Sequence, residues 1–393
     1  PDLRPRCLRG GGHRGGLRGE GGAASPRLNG VVAVRIKGAA RDVAACLNVA
    51  EDHLGLGGID TIEQLAEIKR IVVEVATDTA VLNADDALCL RMADYTQSEN
   101  LCYVTMNPAH PLVREHVQAG SRAVVLEQGI NGDMITLYDK GAHFPLLWTY
   151  LIPATMEGKA THNVQNAMFA AAMAYSMGKS LDDIRDGLRT FNTTFYQAPG
   201  RMNVFDELPF KVILDYGHNA AAIGAVCQLV DRLEPTGRRI AVLAAPGDRR
   251  DQDVLAIADA TAGHFDVFIC KADRNRRGRG NDEVPRMIEG RLQELGVDAK
   301  SIEVIADESE AVSAALNMAE AGDLLVIFGD NITHCWKQII SFESDETDSK
   351  EEKKPVVSYA QEASAAFQLD PEAELIRDER GVRIARQEPE DSD

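Results

Sequence analysis

The chain has 393 residues, 45% of them hydrophobic and 26% charged, enough for two or three domains with cores of their own. A formal net charge of -19 argues against a nucleic-acid-binding body as a whole. No apolar run approaches the roughly 18 residues that span a bilayer and no signal-peptide core opens the chain, so no membrane association and a cytoplasmic location are expected.

The charge is unevenly placed. Residues 1–41 hold nine Lys or Arg against two acids, whereas residues 342–393 hold sixteen acids against seven bases. The Gly/Arg-rich start lacks apolar periodicity and predicts no packed core. From Val43 the character changes. "VAACLNV" reads as a buried strand and "TIEQLAEIKRIVVEVA" as a helix with Thr61 at its N-cap. "TAVLNADD", "LCYVTM" and "RAVVLEQ" read as strands, with a short helix around Leu88 to Met92, and "DMITLYD" as an antiparallel edge. "THNVQNAMFAAAMAYSMGKSLDDIRDGLRTF" reads as two helices, Gly178 ending the first and Ser180 with Asp183 boxing the start of the second. The strands "FKVILDYG", "RIAVLAAPG", "DVFICK", "SIEVIA" and "DLLVIFG" then alternate with helical stretches, the pattern of a mostly parallel sheet covered on both faces. After Ser341 a disordered acidic tail is expected, in which "AELIRDERGVRIAR" has the makings of a hairpin or docking segment. Seven cysteines (Cys7, Cys46, Cys89, Cys102, Cys227, Cys270, Cys335) form no C-x-x-C pair and mostly sit in apolar runs, as reduced, buried thiols do.

Two phosphate-loop lookalikes lack their context. Gly10, Gly12 and Gly15 match G-x-G-x-x-G with no strand before or helix after. "GKS" at Gly178 to Ser180 has Met173 where the first glycine belongs, and no complete G-x-x-x-x-G-K-[ST] occurs in the 393 residues. The charged strand ends are stronger signals. Glu51, Asp52 and His53 follow one buried strand, with Lys69 sixteen residues beyond His53; a solvated loop and a surface lysine would explain them equally. Asp215, His218 and Asn219 stand where the next sheet's strand gives way to a helix, either as a site or as a plain N-cap. "APGDRRDQD" and "KADRNRRGRG" follow the next two strands. Such an edge suits a charged, zwitterionic substrate, although a solvated rim would also carry these charges.

"LNVAEDHL…EIKR", "VLNADD", "HNVQNAMFAAAMA", "PGRMN" and "DYGHN" occur in the order found in the Mur ligase family, and the span from about Asp42 to Phe342 resembles it. The resemblance implies an α/β fold in four parts: an aberrant start (1–41), a partial central ATPase domain (42–196), a Rossmann-like C-terminal domain (197–341) and the tail (342–393). It implies an ATP-dependent carboxylate–amine ligase working through an acyl phosphate. His53 would then ligate Mg²⁺, and Lys69 would be the lysine often carbamylated beside it. Asn166, next to His162 and Asn163, would contact adenine. Arg201, Asp215 and His218 would hold the rest of the nucleotide, and Asp248, Arg249, Asp273 and Arg276 would receive the incoming amino acid.

"APGDRRDQD" and "KADRNRRGRG" favour the family branch that attaches L-arginine to the side chains of a polyaspartate primer (cyanophycin), expected as a homo-oligomer. Three alternatives stand beside it: a peptidoglycan-type ligase, a non-catalytic interaction remnant, and, for residues 1–41, an RNA-binding Arg/Gly tract. The family's phosphate loop and that branch's ATP-grasp domain are not in this sequence. The expectation is therefore an amino-terminally truncated ligase without turnover of its own.

Overall fold

The computed structural model describes residues 33–37, 42–52, 54–343, 370 and 373–386. Two sheets organise them. The first is built by β1 (Ala33–Lys37), β2 (Asp42–Cys46), α1 (Ile62–Glu74), β3 (Thr79–Asn83), α2 (Ala87–Arg91), β4 (Asn100–Thr105), α3 (Pro111–Gln118), β5 (Arg122–Gly129), β6 (Gly132–Asp139) and β7 (Ala142–Trp148), then covered by α4 (Thr161–Ser176) and α5 (Leu181–Thr190). Its seven strands run β1-β2-β3-β4-β5-β6-β7; β2 to β5 are parallel, and β1, β6 and β7 pair antiparallel.

The parallel strands are apolar almost throughout because helices cover both faces. Val43, Ala45, Val81, Cys102 and Val104 face α4 and α5. Ala80, Leu82, Leu101 and Tyr103 face α1 to α3. One expectation about this sheet changes: a strand, β1, falls within the stretch expected to hold none. "DMITLYD" is part of an antiparallel edge as expected, pairing on both sides. The outermost strand there is β7, which Pro145 disguises in the sequence; proline is tolerated where a ladder N–H is not needed.

The second sheet comprises β8 (Asn203–Phe205), β9 (Lys211–Asp215), α6 (Ala220–Leu233), β10 (Arg239–Leu243), α7 (Asp251–Thr261), β11 (Val267–Cys270), α8 (Glu283–Glu294), β12 (Ile302–Val304), α9 (Glu308–Met318), β13 (Leu324–Phe328) and α10 (Ile332–Ile340). Its order is β12-β11-β10-β13-β9-β8, with only β8 antiparallel. Ile213, Ala241 and Val326 pack on α6 to α8, while Val212, Leu214, Leu325 and Ile327 pack on α9 and α10. From β10 the chain moves outward through β11 to β12, then returns to place β13 beside β10. That reversal opens a crevice at the carboxyl ends of the strands, where open α/β sheets bind ligands.

Local signals hold. Thr61 accepts from Gln64 N and Gln64 reaches back to Thr61 N, a capping box; Ser180 and Asp183 form another. Gly178 follows α4 at φ +80°, a left-handed position that glycine fills without strain. The tail segment forms a hairpin, β14 (Leu375–Asp378) with β15 (Gly381–Ile384). Cys7 lies outside the described residues, and the other six cysteines are buried free thiols. Among the described residues no helix is long and apolar enough to cross a membrane.

Candidate functional site

Four strands of the second sheet end at one cavity of about 100 Å³. Tyr216, Gly217 and His218 follow β9, Ala244, Pro246 and Arg249 follow β10, Asp273 and Arg277 follow β11, and Gly329 and Asp330 follow β13. Asp215, at the tip of β9, shapes the wall rather than filling the space. Its Oδ1 accepts from Gly217 N at 2.7 Å and its Oδ2 from Met202 N at 2.9 Å, so one buried carboxylate knots the "GRMN" loop to the strand end. Arg201, exposed beside that knot, lies 5.8 Å from the centre of the Tyr216 ring. Asn219 caps α6 by accepting from Ala222 N at 2.8 Å. The N-cap reading of Asn219 holds, and its amide also reaches Asp52 of the other domain.

The acidic pair before His53 makes that contact between domains. Asp52 receives Arg249 at 2.8 Å and the Asn219 amide at 3.3 Å, and lies 3.7 Å from His218 Nε2. Glu51 pairs with Arg250 at 3.3 Å. The strand end of the first sheet is thus joined electrostatically to two loops of the second. Arg249 is only 5% exposed, and among the described residues its Nε has no hydrogen-bond partner. Lys69 is also buried and donates to the Asn48 carbonyl at 3.0 Å, holding the start of the same loop from below. His53 lies outside the described residues.

Opposite Arg249 the cavity is acidic. Burial pushes the Asp273 carboxyl up, and the neighbouring Asp330 and Glu308 charges add to the rise against Lys271. Fully buried Lys271 pairs with Glu308 at 2.8 Å, and Glu308 accepts from Asp330 N and Asn331 N. Burial raises the Glu308 carboxyl too, but Lys271 and those two N–H groups bring it below its ordinary range. Asp248 pairs with both Arg249 and Arg277. Arg277, at φ +48°, lines the cavity while still exposed to solvent, and Arg276, also exposed, does not line it.

Of the residues singled out from the sequence, His218, Asp248, Arg249 and Asp273 therefore meet at the crevice, with Arg201 and Asp215 on its rim. Asn166 is exposed on α4, its amide donating to Asn163 at 3.3 Å. His162 stands near Asp215; burial lowers its pKa, that carboxylate opposes the fall, and among the described residues its Nδ1 has no partner. Arg277, Asp330 and Glu308 were not singled out. Asp330 follows "DLLVIFG", whose strand end was legible, but nothing local marked its carboxylate as facing Asp273.

A nucleotide suits this surface: Arg201 and Asn166 are exposed, and the orphaned His162 Nδ1 and Arg249 Nε offer unmatched polar atoms. Among the described residues, to which His53 does not belong, no group of three His, Cys, Asp or Glu side chains is placed to hold a metal ion.

Two family models match this chain: the Mur ligase middle domain over residues 28–174 and the Mur ligase glutamate ligase domain over residues 200–331. With both sheets accounted for in this way, the chain belongs to the Mur ligase family. Its particular relatives include the cyanophycin synthetase of Trichormus variabilis, 40% identical over 304 residues, and that of Synechocystis sp., 38% identical over 295. These alignments take in 76% and 74% of this chain but only 32% and 33% of the relatives, so it spans about a third of their length. A UDP-N-acetylmuramoyl-L-alanyl-D-glutamate–L-lysine ligase of Staphylococcus aureus is 26% identical over 307 residues, 76% of this chain and 56% of that enzyme. In fold, the chain is similar to Mycobacterium tuberculosis folylpolyglutamate synthase, with a TM-score of 0.54 at 17% identity over 77% of this chain and 64% of that one.

Proposed function

We propose that this chain is the Mur-like part of an ATP-dependent carboxylate–amine ligase that joins L-arginine to the aspartate side chains of a polyaspartate primer, the chemistry of cyanophycin synthesis. The observation that carries the reading is a crevice with both signs of charge. Arg249, Arg277, Asp273 and Asp330 all line it. A small zwitterion with an additional cation matches that layout: guanidinium forks orient its carboxylate and the paired acids take its cationic end.

ATP would supply the phosphoryl group that activates the acceptor carboxylate. The residues proposed to hold it are Arg201 and Asn166, with Asp215 fixing the loop that presents Arg201. Asp52 would bring the first domain's strand end against the crevice, so that acceptor and amine meet with water excluded. No step is assigned to Mg²⁺. His53, the residue proposed to ligate it, follows the loop that Lys69 anchors.

The test is a calorimetric titration of L-arginine, L-lysine and diaminopimelate into the purified chain with ADP present. Arginine should bind preferentially, and Asp273→Asn should weaken it about ten-fold, the equivalent of 1.4 kcal/mol. Equal or tighter binding of lysine or diaminopimelate would instead favour a peptidoglycan-type ligase, and no binding at all a non-catalytic role. Since the 393 residues contain no complete phosphate loop, arginine- and primer-dependent ADP release should be absent for this chain alone.

A further inference from the structure

The β14–β15 hairpin lies beyond both family matches, yet it packs on the first sheet's domain rather than on the second, which precedes it in sequence. The face it covers is made by β4, α3 and the short 3-10 turn Met92–Asp94. Both backbone groups of Val382 are read there. Its N–H donates to His116 Nδ1 at 3.1 Å, and its carbonyl accepts from the Tyr103 hydroxyl at 3.1 Å. Val382 is 1% exposed and belongs to the core cluster of that domain. Asp94 takes Arg383 Nε at 2.7 Å and Arg386 N at 2.9 Å; Arg380 donates to the Thr96 carbonyl at 2.9 Å, and Arg377 pairs with Glu115 at 2.6 Å. A Cβ at Gly381 would collide with His116 and Ser121.

We infer that this face is a docking site for the chain's own carboxyl-terminal hairpin, and that the docked hairpin is a strap controlling the loop at the domain junction. The covalent path runs from the second domain back to the first, so the two domains are tied a second time. The mechanical path is short. β15 packs on α2, whose N-cap Asp86 accepts from Leu88 N and Cys89 N with one oxygen and from Val49 N, at 2.7 Å, with the other. Val49 opens the loop that carries Glu51 and Asp52 to Arg250 and Arg249. Docking of the hairpin therefore steadies the helix that grips the junction loop.

Hydrogen exchange by mass spectrometry on the full chain tests this. Asp94→Arg should speed exchange across 375–384 about ten-fold, and also at 48–52 and 249–250. Adding Arg383→Asp should restore part of the protection at all three segments, the Arg386 N–H still lacking its acceptor, and a merely unfolded domain would restore none. The inference is overturned if 375–384 of the unmodified chain exchange like a free peptide. It also fails if the hairpin is released with 48–52 unaffected, or if protection of 375–384 depends on chain concentration, which would mean the hairpin docks on a second copy. None of these readouts depends on the ligase reading.

Discussion

At the scale of single residues, the crevice is a balance between buried charge and its partners. Asp273 is the least balanced member, because burial and two neighbouring acids all resist its ionisation. Its folded-state pKa lies above its unfolded one, so between the two the folded chain binds more protons and stability falls as pH rises. Asp273→Asn should remove that fall and leave the variant more stable than the parent at neutral pH. Urea denaturation followed across the acidic range checks this; an unchanged pH slope would mean that Asp273 is relaxed by solvent. The residue types at these strand ends were legible from sequence, since charged loops after apolar strands are a local pattern. Their pairing was not. Asp52 and Arg249 are 197 positions apart, and only the packing of two domains brings them together. The same blindness favoured Arg276 over Arg277, because the pairing of Arg277 with Asp248, 29 positions away, is what sets it at the cavity.

At the scale of elements, helix starts carry two functions at once. Asn219 caps α6 with its oxygen and donates its amide to Asp52. Asn219→Ala should lose both, costing about 1 kcal/mol for the cap alone, whereas Asn219→Ser should keep the cap and lose only the reach across the junction. Thermal unfolding of the two variants, compared with exchange at 48–52, separates the roles. If serine destabilises as much as alanine, the cap is not what the oxygen contributes. Helix caps and most strands were readable because their signals lie within a few residues of one another. β7 was hidden by Pro145, and β1 by the glycines and arginines around it. The hairpin's turn was visible in "RDERGVR", but its seat was not, since its partners Asp94, Tyr103 and His116 read as ordinary interior or surface residues of another domain.

At the scale of the whole molecule, ions join the first domain's strand end to the second domain, beside the apolar seat that Met156 and Ala160 find in the second domain's core. Arg249 is nearly buried, so Asp52→Ala removes the shorter of its two ion pairs and leaves only Asp248 to offset the cation, a loss of at most about 3 kcal/mol. The more exposed pair of Glu51 and Arg250 should contribute little and fade with salt. Small-angle scattering should therefore show the Asp52→Ala chain expanding at moderate salt while Glu51→Ala stays close to the parent. Equal behaviour of the two would place the junction's stability elsewhere.

The docked hairpin also sets a timetable. Tyr103 and the Val382 carbonyl it holds are 279 positions apart. At a synthesis rate of roughly 5–20 residues per second, roughly 15–55 s separate their emergence from the ribosome. For that interval the first domain stands with a core cluster lacking one wall, its Tyr103 and His116 open to any passing β-strand. The cell must either shield this face while the second domain is being made or tolerate a nascent chain whose first domain is finished last.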